Sequence, residues 1–271
     1  TAPEITCWKE QEQPIPPYFL GALLGDGGLS SKTAITFTSA DDGMWNYMEE
    51  YQTANGGKLG ETNEAITKRF TASPWLFATL RSLGLLPIRC EDRFIPTVYK
   101  ICSKQQRLEI LAGLIDTDGC VDKTSLSFCS KSKRLRDDVS FISRSLGFFV
   151  TETTKKSHCY YRGEKREGVY YNANIIGNLS EIPLKLKRKI PPSRVIKKQH
   201  NVTGFSIELM DEDDFYGFMI TGDGRYVLGD FTVTHNSGKT YAAVATAREL
   251  GMGIGVVCPK AVINAWHKVI T

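Results

Sequence analysis

The sequence predicts an α+β chain in which one helix–hairpin–helix unit occurs twice, followed by a β-rich C-terminal part. Three observations predict it. Residues 18–29 (YFLGALLGDGGL) are echoed by residues 110–121 (ILAGLIDTDGCV), both apolar stretches that end in Asp-Gly. Downstream landmarks keep step. From Asp26 it is 11 residues to Phe37 and 69 to Ile95, and from Asp118 it is 10 to Phe128 and 72 to Ile190. The Gly56-Gly57 pair and Gly147 fall between them in register. Each Asp-Gly is also followed by an alternating segment, residues 33–38 (TAITFT) and 124–129 (TSLSFC), the period-two pattern of a half-buried strand.

The elements follow in order. Pro16 and Pro17 stand where a helix can begin but not continue, and Gly27-Gly28 ends it. In the second copy Ser103 and Gln106 form a capping box. Leu108, Leu111, Ala112 and Ile115 then fall at i, i+3, i+4 and i+7, so a helix ending near Asp116 is expected. The alternating segments read as hairpins with one wet face. On this basis residues 1–15 are a connector or the remnant of another domain. Residues 16–102 and 103–196 are the two copies, 197–236 a separate β-rich segment, and 237–271 the start of something else.

Composition narrows the function classes. The chain has 271 residues, more than one domain of ordinary size. No run of about 18 consecutive apolar residues is present, so no membrane partner is expected. Residues 1–13 lack the apolar core of a secretory signal. Seven cysteines form no CxxC and cannot all pair, which suggests a reducing, cytoplasmic setting. The net charge of +4 does not itself point to nucleic acid. Its distribution says more: residues 181–200 hold seven Lys or Arg and one Glu, whereas 211–230 hold six acids and Arg225.

Small residues set up the chemistry. Gly21, Ala22 and Gly25, with Ala112 and Gly113, remove the bulk that normally keeps helix axes about 8–10 Å apart. Two such helices packed about a pseudo-twofold axis bring Asp26 and Asp118 side by side. Each carboxylate then meets the negative end of a helix dipole and the charge of the other. A divalent cation reverses both penalties. Hard oxygen ligands, with no Cys or His at metal spacing, point to Mg²⁺ rather than zinc. Two carboxylates sharing metal ions suit in-line attack on a phosphodiester.

These residues carry a family resemblance. LAGLIDTDG at 111–119 and LGALLGDGG at 20–28 resemble the paired signature of LAGLIDADG homing endonucleases. The resemblance covers about 180 residues, 16–196. It implies two pseudo-symmetric αββαββα units, Mg²⁺-dependent cleavage of double-stranded DNA at a long site, and a monomer. Asp26 and Asp118 would be the metal-binding catalytic acids. In that family a Lys near the Ile-Pro element often assists; here Arg93 and either Arg188 or Lys189 stand closest. Lys185, Lys187, Arg188 and Lys189 suit phosphate contacts. Base reading falls to the wet hairpin faces, for example Thr36, Thr38, Ser127 and Lys131. A unit that keeps the fold and binds DNA without cutting is the alternative.

The tail differs. Residues 230–236 (DFTVTHN) followed by Ser237 resemble the C-terminal splicing block of inteins, so 197–236 would be the β-rich end of a Hint-type domain. Asn236 cyclises by attack of its side-chain amide on its own carbonyl. His235 supplies a proton, and Ser237 offers the hydroxyl that receives the upstream chain. No opening intein block precedes Pro16, so the chain is expected to be a truncated intein or the C-terminal partner of a separate N-terminal half. Gly238, Lys239 and Thr240 read as the end of a Walker A loop, nucleotide-binding only after splicing, and residues 254–260 resemble a helicase or ATPase strand.

Overall fold

The structure is a computed structural model and describes residues 4–161, 164–192, 225–235, 249 and 251, with 159–161, 164–166, 234 and 235 as backbone only. The chain forms two compact units, Thr1–Thr203 and Gly204–Thr271.

The first unit is an α+β structure that contains the repeat. Its first half runs α1 (Pro17–Asp26), β1 (Gly27–Gly28), β2 (Thr36–Thr38), α2 (Asp42–Ala54), β3 (Lys58–Glu61), β4 (Thr67–Thr71), α3 (Pro74–Ser82) and a short α4 (Thr97–Lys100). The second half runs α5 (Lys104–Asp118), β5 (Gly119–Asp122), β6 (Ser125–Ser130), α6 (Lys133–Ser145), β7 (Phe149–Tyr161) and β8 (Glu164–Ile176). Each half builds a four-stranded antiparallel sheet of the same order, β1-β2-β4-β3 and β5-β6-β8-β7.

The landmarks keep their register in space. Gly27 pairs with Phe37 and Gly119 with Phe128, so each helix hands its chain directly to the first strand of its sheet. Gly56 (φ +71°) and Gly147 (φ +82°) follow α2 and α6 in the left-handed conformation that closes a helix without a Cβ penalty. Phe37 and Phe70 from one sheet, with Ile35 just before β2, and Leu126, Phe128, Ala173 and Ile175 from the other, join α1 and α5 in a continuous buried core.

The second half departs from expectation in one respect and from the first half in two. The Ser103–Gln106 capping box forms as expected, but α5 continues past Asp116 to Asp118. There, the Thr117 hydroxyl donates back to the Gly113 carbonyl at 2.9 Å and keeps the last turn closed. Among the described residues the second half has no counterpart of α3, against the expected αββαββα pattern. Leu179–Glu181 is a single 3₁₀ turn, because Pro183 lacks the N–H and clashes with the helical conformation of the residue before it. The β7–β8 ladder has 13 pairs and β3–β4 only 4, and β8 runs on beyond the five residues that pair with β6.

Residues 4–15 have no helix or strand; the segment runs along the second half as far as Gln11 and then along α4 of the first. Ile5 N–H donates to the Ser145 carbonyl at 2.8 Å, Gln11 exchanges hydrogen bonds with the Gln106 side chain, and the Ile15 backbone meets the Tyr99 hydroxyl. In the second unit the described part is an antiparallel hairpin, β9 (Arg225–Val227) with β10 (Val233–His235). No helix among the described residues is long and apolar enough to cross a membrane.

Candidate functional site

The site begins with the seam between α1 and α5. A Cβ on Gly21 would lie 2.3 Å from the Ile110 carbonyl oxygen, and one on Gly113 would lie 2.2 Å from that of Tyr18. Gly25 faces the Thr117 side chain at similar range. The two helices therefore touch backbone to backbone, as the run of small residues leads one to expect. Asp26 and Asp118 end these helices, and both line one cleft of about 430 Å³. Gly25, Gly27, Gly28, Thr38, Cys90, Arg93, Cys129, Ser130, Lys131 and Tyr170 complete its wall.

Burial raises the Asp26 carboxyl above its ordinary value, while Lys189 and then Arg93 pull it down. The Asp118 carboxyl is pushed up to about 6, first by burial and then by Asp26, against Arg93 and Lys189. Two acids repelling each other beside two cations make a neutral quartet in a half-buried setting.

The cations reach the site through backbone. Arg93 Nη1 donates to the Leu24 carbonyl at 2.7 Å and to that of Gly25, and its Nη2 donates to Gly27. The Lys189 ammonium donates to Ile115 and Thr117 at 3.2 Å each, and to Gly119. Each cation thus covers the carbonyl oxygens at the end of one helix, where the dipole is negative and an aspartate stands. Burial lowers the pKa of both cations.

This geometry separates the two basic residues left open beside the second Ile-Pro element: it is Lys189, 5% exposed, and not Arg188 that does for α5 what Arg93 does for α1. Arg188 turns outward to Asp41, its Nε donating at 3.0 Å and its Nη2 to the other oxygen. The Arg93 and Lys189 donors go to main-chain carbonyls, whereas Arg188, its side chain 59% exposed, pairs with Asp41 at the surface. Lys185 is exposed, with its ammonium 4.8 and 4.6 Å from the Tyr18 and Tyr47 ring centres, and Lys187 is exposed.

Of the expected base-reading residues, Thr36 and Thr38 are half-buried on the outer face of β2, and Thr38 lines the cleft. Ser127 is half-buried on β6, while Lys131 lines the cleft 5.7 Å from the Tyr170 ring. The same face of the second sheet carries residues the sequence reading passed over. Asn174 pairs with Ser127 and Asn172 with Cys129, with Thr151 and Thr153 beyond them. The alternation in residues 170–176 (YYNANII) carries that signal.

Asp116 was also passed over. It is 2% exposed and accepts from the Tyr18 hydroxyl at 2.6 Å and from the Lys185 N–H at 2.7 Å. It fixes the segment leading to Lys189 against both helices. Asn236, Ser237, Gly238, Lys239 and Thr240 lie outside the described residues, and His235 is described as backbone only, at the end of β10.

Residues 105–183 match the family model of a LAGLIDADG-like domain. Over 148 residues, 54% of this chain, the sequence is 34% identical to a replicative DNA helicase DnaB from Mycobacterium intracellulare; the match spans only 22% of that helicase. Among solved structures, a mesophilic variant of the homing endonuclease I-DmoI is similar over 60% of this chain and 88% of its own, at 19% identity and TM-score 0.40. I-DmoI in complex with DNA and Ca is similar over 60% and 82%, at 17% identity and TM-score 0.38.

Proposed function

We propose that the chain is a site-specific DNA endonuclease of the LAGLIDADG type that makes Mg²⁺-dependent double-strand cuts and is joined to a C-terminal protein-splicing segment. One observation carries the nuclease reading: Asp26 and Asp118 end two pseudo-equivalent helices in contact along their backbones, and both line one cleft to whose wall both sheets contribute.

The residues present fit a divalent cation. Two carboxylates at negative helix ends are poor neighbours for each other, and hard oxygens with no His among them suit Mg²⁺. Among the described residues no cluster of three or more His, Cys, Asp or Glu forms a closed metal cage. A site of two carboxylates leaves coordination positions for water and phosphate oxygens. Asp26 and Asp118 would hold the ion, which supplies charge neutralisation and an activated water. The chain's own residues do the rest. The helix seam fixes the separation of the carboxylates, Arg93 and Lys189 keep the helix-end carbonyls occupied, and the sheet faces dock along the major groove.

The family match to residues 105–183 supports the nuclease part, and the sequence of residues 230–237 supports the splicing part. The helicase match bears on the host. A match of 148 residues is longer than the 35 that follow Asn236 (271 − 236), so that helicase resembles at least part of the region before Ser237. The Ser237-Gly-Lys-Thr run and residues 254–260 support residues 237–271 being the resumption of a helicase-like host after the insert.

Incubation with a library of DNA duplexes tests the reading. Metal-dependent double-strand cuts, lost in Asp26→Asn and Asp118→Asn, are expected. Tight binding with intact DNA would leave a binding module in place of an enzyme. For the splicing part, adding the complementary N-terminal half should give a ligated product by mass spectrometry, abolished by Asn236→Ala.

A further inference from the structure

The two cations at the helix ends are held by loops that the opposite half of the molecule grips. Residues 93–95 follow the first sheet, yet α6 of the second half holds all three. The Ser132 hydroxyl donates to the Arg93 carbonyl at 2.6 Å while accepting the Leu135 N–H at the start of α6. The Arg134 guanidinium lies 3.9 Å from the Phe94 ring centre. Asp138 accepts the Ile95 N–H at 2.8 Å and the Lys100 ammonium at 2.6 Å. The loop ending at Lys189 is gripped in the reverse direction. Asp41 of the first half takes Arg188, the neighbour of Lys189, in a two-pronged ion pair, and Tyr18 and Tyr47 flank Lys185.

Asp41 and Ser132 hold the same station, the N-cap of the helix that follows the first hairpin of each half. The chemistry at that station differs. Ser132 is fully buried and Asp138 is 7% exposed, whereas the Arg188 and Asp41 side chains are 59% and 26% exposed. One clamp is a buried hydrogen-bond network and the other a solvated ion pair, which salt weakens.

We propose that Ser132 and Asp41 are positioning residues of a crossed clamp: each fixes, from the opposite half, the cation that covers one aspartate-bearing helix end, so that the two strand cuts are controlled separately. The proposal rests on the nuclease reading. Releasing one clamp lets one cation leave its carbonyls, and those oxygens then repel the aspartate beside them. The disturbance falls first on one of the two acids, and a pseudo-symmetric enzyme reports it as unequal cutting of the strands.

The test uses the full chain in excess over a supercoiled plasmid carrying a site selected from the duplex library, with Mg²⁺ and both strands labelled. Ser132→Ala should change the ratio of the two strand rates by about tenfold, the loss of one buried hydrogen bond, with nicked circles accumulating. Asp41→Asn should shift the ratio the other way by about threefold, as a solvated ion pair allows. Arg188→Met should copy Asp41→Asn and Arg188→Lys should restore the wild-type ratio, which 0.5 M salt in the wild type should disturb in the Asp41→Asn direction. Ser132→Thr keeps the hydroxyl and should behave as wild type, which separates positioning from loss of fold. Equal slowing of both strands in every variant, or the same strand affected by both clamps, overturns the proposal. A wild type that cuts neither strand overturns the nuclease reading itself.

Discussion

Gly21 and Gly113 face each other across the α1–α5 seam, each occupying the space a Cβ of the other would need beside a carbonyl oxygen of Tyr18 or Ile110. The relationship is reciprocal because Tyr18 and Ile110 both stand eight residues before their aspartates (26 − 18 and 118 − 110). The atoms a methyl would meet are backbone, which cannot swing aside. Gly21→Ala and Gly113→Ala should each lower stability by about 2 kcal/mol or more through overpacking, read as the urea midpoint. Both should also depress cutting at temperatures where the variant is still folded, since separating the helices separates Asp26 from Asp118. Unchanged midpoints would mean that the seam is looser than its contacts indicate.

The Asp118 carboxyl makes stability and activity run in opposite directions with pH. Its folded-state pKa of about 6 lies above the ordinary value of 3.8, so the unfolded chain ionises first as pH rises. The native state is therefore penalised progressively from about pH 4 to pH 6 and carries the full penalty above that range. Asp118→Asn should stabilise the protein at pH 7–8 by on the order of 1–2 kcal/mol, allowing for partial exposure, and should give no gain below pH 4. Mg²⁺ should raise the thermal midpoint of the wild type more than that of the variant, because the ion binds the native carboxylates. Cutting should fall in acid as the carboxylates protonate, with a midpoint that moves to lower pH as Mg²⁺ is raised, because proton and ion compete for the same oxygens. Thermal denaturation across pH, with and without the ion, checks each part.

The repeat was legible in the sequence because its landmarks are residues with strict backbone duties. Gly27 and Gly119 must leave a helix for a strand, Gly56 and Gly147 need positive φ, and the capping box at Ser103 uses side chains next to their targets in sequence. The two acids followed from that register. The cations followed in part: Arg93 and the pair Arg188–Lys189 stand beside the Ile-Pro elements, but which of the pair covers α5 was not legible, because Ile95 is buried and Ile190 is 52% exposed, so the same landmark sits differently in the two halves. Asp116 and Ser132 escaped for a different reason. Their partners, Tyr18 and Arg93, are 98 and 39 residues away in sequence, and no local pattern marks such a pair.

The second sheet offers a sharper test of base reading than the threonines of β2. Asn172 and Asn174 stand on its outer face opposite Cys129 and Ser127, and an Asn side chain is suited to a two-point contact with adenine in the major groove. If the nuclease reading holds, Asn172→Ala should cost about 1–3 kcal/mol in binding to the selected site and little on random duplex. Lys187→Ala should instead weaken both equally and reduce the salt slope by about 0.9. Filter or fluorescence titrations over a range of salt distinguish the two patterns. A uniform loss from Asn172→Ala would place that residue among the phosphate contacts.

Arg107 governs a part of the chain expected to be a connector or the remnant of another domain. Fully buried, its guanidinium donates to the carbonyls of Cys102 at 3.1 Å, Ser145 at 2.9 Å and Ile5 at 2.6 Å, and lies 4.9 Å from the Trp8 ring centre. Trp8 in turn stacks on Phe141 of α6 at 6.0 Å, and Glu4 bridges to Lys104. The fork shape of the guanidinium is what lets one side chain reach acceptors on three segments; an ammonium on a flexible stem cannot span them. Arg107→Lys should therefore destabilise nearly as much as Arg107→Met, by about 3 kcal/mol, because either leaves buried carbonyls unpaired. Both should free residues 4–12, so that trypsin cleaves after the exposed Lys9 at least tenfold faster than in the wild type while the rest of the unit persists, an acceleration typical of local opening. Should the rate at Lys9 stay the same with the stability reduced, the segment is held by Trp8 and Gln11 in place of Arg107.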